Sequence, residues 1–201
     1  MRFDVMGESA VLVDCGSLPL AFGVRDAVAG AELPGILDIV VGDGNVLVSF
    51  DPLVANLQVL VPIAWLTPPG GVRRRRPVQV PVRYDGEDLD EVASRAGLST
   101  ADVQAVHSGS DYTVGFMGFS PGFAYLVGLD DRLRLPRRDR PRERVPAGSV
   151  AIARGYTAVY PQPTPGGWWL IGHTDLRVFD AGRSGAPSIF QPGDRVRFAP
   201  R

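Results

Sequence analysis

From Gly115 to Thr174, glycine or proline recurs every few residues, interleaved with aromatics and uncharged apolar runs. The stretch contains Gly115-Phe-Met-Gly-Phe-Ser-Pro-Gly-Phe-Ala-Tyr-Leu126, Val145-Pro-Ala-Gly-Ser-Val150, Tyr160-Pro161 and Thr164-Pro-Gly-Gly-Trp168. A helix does not tolerate so many breakers, and a disordered linker does not carry so many aromatics. Short strands turned back on each other accommodate both, with glycine where backbone meets backbone or a ligand. After Tyr112 the chain reads as short strands only, at 113–117, 149–153, 157–160, 168–171, 176–179 and 195–198, with turn residues between them. That pattern predicts a closed or nearly closed β-barrel. A strand at 78–82, a short helix at 88–96 and a helix opening at Ser99-Thr-Ala-Asp102 and running through His107 precede it.

The first 66 residues have a different rhythm. Strands at 3–6 and 10–15 flank Gly7-Glu8, and 20–33 carries Phe22, Val24, Val28 and Ala31 at helical spacing before Leu33-Pro34-Gly35 stops it. Two β-branched runs, 36–41 and 45–50, flank the hairpin signal Gly42-Asp43-Gly44. Asp51-Pro52 predicts a further helix, with Asp51 as N-cap and Pro52 at its first position. The order ββαββα implies an antiparallel sheet with helices on one face. The expected architecture is an α+β N-terminal domain over 1–70, an Arg/Pro/Gly linker over 71–77 and a mainly-β barrel domain over 78–201. Arg73 to Arg76 are read as a solvated linker rather than a nucleic-acid patch, because no aromatics or further basic residues lie near them.

Composition removes several chemistries. All 21 basic residues are arginine, so Schiff-base catalysis, a lysine base and a P-loop lysine are excluded. A net charge of −1 gives no global field toward nucleic acid or membranes. The single cysteine, Cys15, lies in an apolar strand and reads as a buried, inert thiol in a reducing compartment. Asp4 and Glu8 interrupt any signal peptide, and the longest apolar run, 59–66, is too short for a bilayer, which needs about 20 residues. A cytoplasmic protein without membrane or nucleic-acid partners is expected.

Two histidines 66 positions apart, without ligand-spaced partners, make no metal site. Gly118-Phe-Ser-Pro-Gly122 echoes a nucleophile elbow, but Pro121 has no N–H for the oxyanion contact that the elbow needs. The segment 132–144 holds seven arginines against Asp139 and Glu143; the alternation at 132–135 fits an edge strand. Arg142 is its candidate clamp for a carboxylate or phosphate. The remaining constellation is Phe119, Gly122, Phe123, Tyr125, Ser149, Tyr160, Gly166, Gly167, Trp168, His173 and Thr174. Its glycines admit a ligand to backbone amides and its aromatics supply apolar walls with polar tips.

In these residues the chain resembles the allophanate hydrolase subunit 1 family. The resemblance rests on Gly118-Phe-Ser-Pro-Gly-Phe-Ala-Tyr-Leu126, Pro141-Arg142, Val145-Pro-Ala-Gly-Ser-Val150, Pro165-Gly-Gly-Trp168, Ile171-Gly172 and Thr174. That family includes the B-type component of the bacterial ATP-dependent 5-oxoprolinase and the KipI-type inhibitor of a sporulation histidine kinase. It is also similar to part of the carboxyltransferase region of urea carboxylase. The resemblance implies a cyclophilin-like barrel and a partner of the allophanate hydrolase subunit 2 kind, the C-type component of 5-oxoprolinase, with an A-type component as a third member. It further implies ATP as the complex's cofactor, and a site with Phe119, Pro121, Gly122, Tyr125, Ser149, Tyr160, Gly166, Gly167, Trp168 and Thr174 around the substrate. Arg142 would hold an anion, and His107 or His173 would supply the polar group. Binding of a histidine kinase, or a role as a carboxyltransferase component, is the alternative. The chain departs from the family where Gly155-Tyr-Thr-Ala-Val-Tyr-Pro161 replaces Gly-Gln-Thr-Gly-Ile-Tyr-Pro, and where His173 replaces an arginine.

Overall fold

The structure, a computed structural model, describes residues 1–56, 58, 60–70 and 77–201. By contacts the chain divides into two compact units, Met1–Val72 and Arg73–Arg201. The proposed linker, apart from Pro77, lies outside the described residues, as do Arg73 to Arg76.

The first unit contains β1 (Arg2–Met6), β2 (Ala10–Asp14), α1 (Leu18–Gly30), β3 (Ile36–Val41), β4 (Asn45–Phe50) and α2 (Leu60–Leu66). The strands form one antiparallel sheet in the order β1-β2-β4-β3. Gly42 N–H donates to the Asn45 carbonyl at 2.9 Å and Gly44 takes φ +74°, which closes the β3–β4 hairpin as its sequence requires. Val13, Val46 and Val48 from the sheet pack with Phe22, Val24 and Val28 of α1. The bare Cα of Gly23 lets residues 68–70 cross α1, since a Cβ there would overlap the Pro68 carbonyl oxygen. No helix opens at Asp51-Pro52. Asp51 instead caps a turn, its carboxylate accepting from Leu53 N–H at 2.9 Å and its carbonyl from Ala55 N–H at 2.9 Å. The helix begins at Leu60, so Pro62 falls in its first turn, where a missing N–H costs no hydrogen bond. Cys15 is buried, and burial pushes its thiol up, away from the reactive thiolate.

The second unit contains β5 (Val78–Val82), α3 (Leu89–Ala96), α4 (Thr100–Gly109), β6 (Tyr112–Met117), β7 (Ala124–Val127), a 3₁₀ turn (Asp131–Leu133), β8 (Arg142–Val145), β9 (Ser149–Ala153), β10 (Tyr156–Val159), β11 (Thr164–Gly166), β12 (Trp169–His173) and β13 (Arg195–Pro200). Seven strands form a sheet in the order β12-β9-β10-β7-β6-β13-β5, while β8 and β11 pair separately. Beyond β5, Arg83 exchanges backbone hydrogen bonds of 2.9 and 2.8 Å with His173 at the end of β12, so the two edges meet and the sheet nearly closes into a barrel. Ser99 and Asp102 form the reciprocal capping box of α4. Two expectations fail here. Residues 176–179 make only an isolated bridge, Phe179 to Ser188. The alternation at 132–135 is not an edge strand, because the Asp130 carboxylate accepts from Arg132 N–H and winds 131–133 into the 3₁₀ turn.

The strands β9, β10 and β12 are buried on both faces. Val150, Ile152, Val159, Trp169 and Ile171 join the large core with Val114, Leu126 and Phe198. The alternate residues, Ala151, Ala153, Ala158 and Leu170, lie under Phe123, Val145, Tyr160 and Trp168. The three alanines on that second face leave room for large rings above it, each worth about 1.5–3 kcal/mol on burial. Among the described residues no helix is long and apolar enough to cross a membrane.

Candidate functional site

The rings on the second face enclose a pocket. Phe123 is their hub, with edge-to-face contacts to Phe119, Tyr125, Tyr160 and Trp168 at centroid distances of 5.1–5.5 Å. With Gly166, Gly167 and Arg137 these residues line a cavity of ≈ 50 Å³. Seven predicted site residues therefore converge: Phe119, Phe123, Tyr125, Tyr160, Gly166, Gly167 and Trp168. Gly166 lies against the Tyr160 hydroxyl so closely that a Cβ would overlap it. Burial pushes the Tyr160 phenol up to about 12, against the opposing pull of Arg137, so it keeps its proton throughout the neutral range.

The loop from Gly118 to Phe123 forms one wall. Gly118 N–H donates to the Phe123 carbonyl at 3.1 Å and Phe123 N–H to the Ser120 carbonyl at 3.0 Å. Within it Phe119 takes φ +66° and stays 61% exposed. A bulky residue in the left-handed region carries strain, and here no burial repays it. Ser120 Oγ is buried without a hydrogen-bond partner. Gly122, at φ +82°, packs on Phe179, so neither a side chain nor an ordinary φ fits there. Pro121 and Gly122 thus shape the loop without lining the cavity.

The opposite wall depends on Asp88, which sequence reasoning missed. Asp88 is buried ahead of α3. It pairs with Arg138, accepts from Arg142 Nη2 at 2.7 Å, and takes Leu170 N–H of β12 at 2.8 Å on its other oxygen. Arg138 N–H in turn donates to the Gly167 carbonyl at 2.8 Å, placing the 137–142 segment across the glycine turn. Arg142 also contacts Glu87 at 3.2 Å. Protein carboxylates therefore hold Arg142, expected as the anion clamp, although its Nη1 is buried without a partner.

The other candidates lie elsewhere. His107 is fully buried against Tyr112 and Phe198 of the barrel core and lines none of the cavities described here. Thr157 O–H donates to the Ala151 carbonyl, so its oxygen accepts from His107 Nε2–H at 2.9 Å, and Tyr84 O–H donates to Nδ1 at 2.8 Å. With both nitrogens engaged and burial pushing its pKa down to about 3, His107 is a neutral core residue rather than an acid–base group. His173 and Ser149 line a separate cleft of ≈ 150 Å³ with Asp85 and Glu87. Thr174 lines another of ≈ 340 Å³ with His173, Asp175 and Arg177. The departures at Tyr156 and Ala158 fall in the aromatic cluster, where Tyr156 stands edge-on to Tyr125 at 5.6 Å.

Neither the aromatic cavity nor the one beside α4 suits a nucleotide. One of ≈ 50 Å³ is far below the roughly 300 Å³ at which small-molecule pockets begin. The cavity of ≈ 440 Å³ beside α4 presents Asp102 and Asp130, and its Arg132 is already paired with Asp130 at 2.9 Å. Phosphate oxygens would face carboxylates there.

The family described as the carboxyltransferase domain, subdomain C and D, matches residues 1–190. The B-type component of 5-oxoprolinase from Escherichia coli O157:H7 is 41% identical over 176 residues, covering 85% of this chain and 80% of that one. Among solved structures, TTHA0988 superposes with a TM-score of 0.86 at 40% identity, over 96% of this chain; the chain spans only 40% of that longer one. The Kluyveromyces lactis urea carboxylase superposes with a TM-score of 0.72 at 19% identity, over 99% of this chain and 21% of its own, a likeness of fold.

Proposed function

The chain belongs to the carboxyltransferase-domain family, subdomain C and D, and on that footing we propose that it is the B-type component of a 5-oxoprolinase-like hydrolase. Its part is to bind a small cyclic amide in a site completed by a partner protein. The observation that carries this reading is the convergence of Phe119, Tyr125, Tyr160, Gly166, Gly167 and Trp168 on one pocket, in a chain so similar to the B-type component of 5-oxoprolinase.

The pocket takes one end of such a molecule and leaves the rest at its mouth, where a C-type partner would cover it. The aromatic walls exclude water from the bound end, and the protonated Tyr160 hydroxyl is a donor for an amide carbonyl oxygen. A lactam is a poor electrophile, so hydrolysis needs activation at that oxygen. Neither the aromatic pocket nor the cavity beside α4 suits ATP, and the proposed holder of the nucleotide is an A-type component among the partner proteins.

Phosphate release from ATP, with and without 5-oxoproline, tests the proposal. This chain alone should release none, and its mixture with the C- and A-type components should release phosphate only when the lactam is present. A mixture indifferent to 5-oxoproline overturns the reading.

A further inference from the structure

We propose that Arg137 is the anion-recognition residue of the aromatic pocket, taking a small oxyanion carried by the substrate. This rests on the pocket being the substrate site, and it names the chemistry that the pocket selects. Arg132, Arg134, Arg138 and Arg142 are ion-paired, with Asp130, Asp131, Asp88 and Glu87. Arg137 lines the cavity, yet among the described residues no carboxylate lies within ion-pair distance of it. Its place is fixed from the next residue, since Arg138 N–H is bonded to the Gly167 carbonyl and the Arg138 side chain is held by Asp88. The exposed guanidinium therefore stands at the pocket mouth with its hydrogen-bonding fork free. Tyr160, which lines the same pocket, supplies an O–H. Aromatic walls with one free cation at the rim are the recognition pattern for a compact molecule with a planar charged end.

A carboxylate of the lactam and a phosphate are both such anions. The reconstituted complex separates them through the KM for 5-oxoproline, and the chain alone through calorimetric titration with acetate and with inorganic phosphate. Arg137→Gln should raise the KM for 5-oxoproline about 10- to 100-fold with kcat little changed, the range expected for losing a charge-assisted hydrogen bond. Arg137→Lys should recover part of that loss. Arg140→Gln, removing an exposed arginine outside the pocket, should leave the KM unchanged. Acetate binding weakened by Arg137→Gln assigns a carboxylate; phosphate binding alone so weakened assigns a phosphate. An unchanged KM in an active Arg137→Gln complex overturns the proposal and leaves the functional reading intact. If the wild-type complex shows no lactam-dependent turnover, that reading fails, and the titrations decide alone. Saturable anion binding that needs Arg137 then sustains the subsite, and no saturable binding overturns it.

Discussion

Asp88 Oδ1 accepts a hydrogen bond from Arg142 Nη2 at 2.7 Å, joining residues 54 positions apart. The same carboxylate pairs with Arg138 and receives Leu170 N–H of β12, so one buried side chain fixes the entry to α3, a barrel strand and the segment that carries Arg137. Asp88→Asn removes the negative charge beneath two partly buried guanidiniums. Glu87 still faces Arg142, so the loss should be at most the roughly 3–5 kcal/mol that breaking a buried ion pair costs. The urea midpoint should fall accordingly; an unchanged midpoint would show that the cluster contributes nothing to stability.

The two glycines of the pocket turn should respond differently. Gly166→Ala places a methyl on the Tyr160 hydroxyl, which is seated in a buried ring, so it should destabilise by about 1–3 kcal/mol and abolish substrate binding. A Cβ at Gly167 meets Pro141 Cβ at 3.5 Å and the Arg138 carbonyl at 3.7 Å, ordinary contacts. Gly167→Ala should stay within about 0.5 kcal/mol of the parent. Thermal melts of both variants check the contrast.

Phe119 is held at φ +66° and largely exposed, an arrangement that stability alone does not favour. Phe119→Gly relieves the strain, worth about 1 kcal/mol, and removes a pocket wall. Tm should therefore hold or rise while the KM for 5-oxoproline increases. A parallel loss of both would make Phe119 a structural residue.

His107 predicts a pH dependence of stability. The folded chain protonates it only near pH 3, whereas the unfolded chain does so below about 6.5. Between those values the unfolded state binds more protons, so stability should rise with pH by up to about 1.4 kcal/mol per unit and level off above 6.5. His107→Gln should flatten that slope. If this variant does not fold, nitrogen NMR of the parent at pH 5 should still show a neutral ring protonated at Nε2; a charged ring there contradicts the assignment.

Local chemistry made much of this legible in the sequence. The β3–β4 hairpin followed from Gly42-Asp43-Gly44, and α4 from its Ser99–Asp102 box. The three- and four-residue strands β7, β8 and β11 are too short to leave a period, and Arg132-Leu-Arg-Leu135 alternated for a reason of its own, a 3₁₀ turn set by Asp130. At the site, aromatics and glycines cluster along the chain, so their convergence could be anticipated. Asp88 could not, since its partners lie 50 or more residues away. It stands where a helix cap would, but its carboxylate serves Leu170 and two arginines instead. His107 misled because a buried neutral histidine and a catalytic one read alike until their burial is known.

The most direct test of the central claim is a crystal structure of the reconstituted complex with 5-oxoproline bound. The account predicts one end of the lactam between the Phe119 loop and the Gly166–Gly167 turn, within hydrogen-bond reach of Tyr160 Oη. A lactam bound wholly on a partner protein, with this pocket untouched, would contradict it.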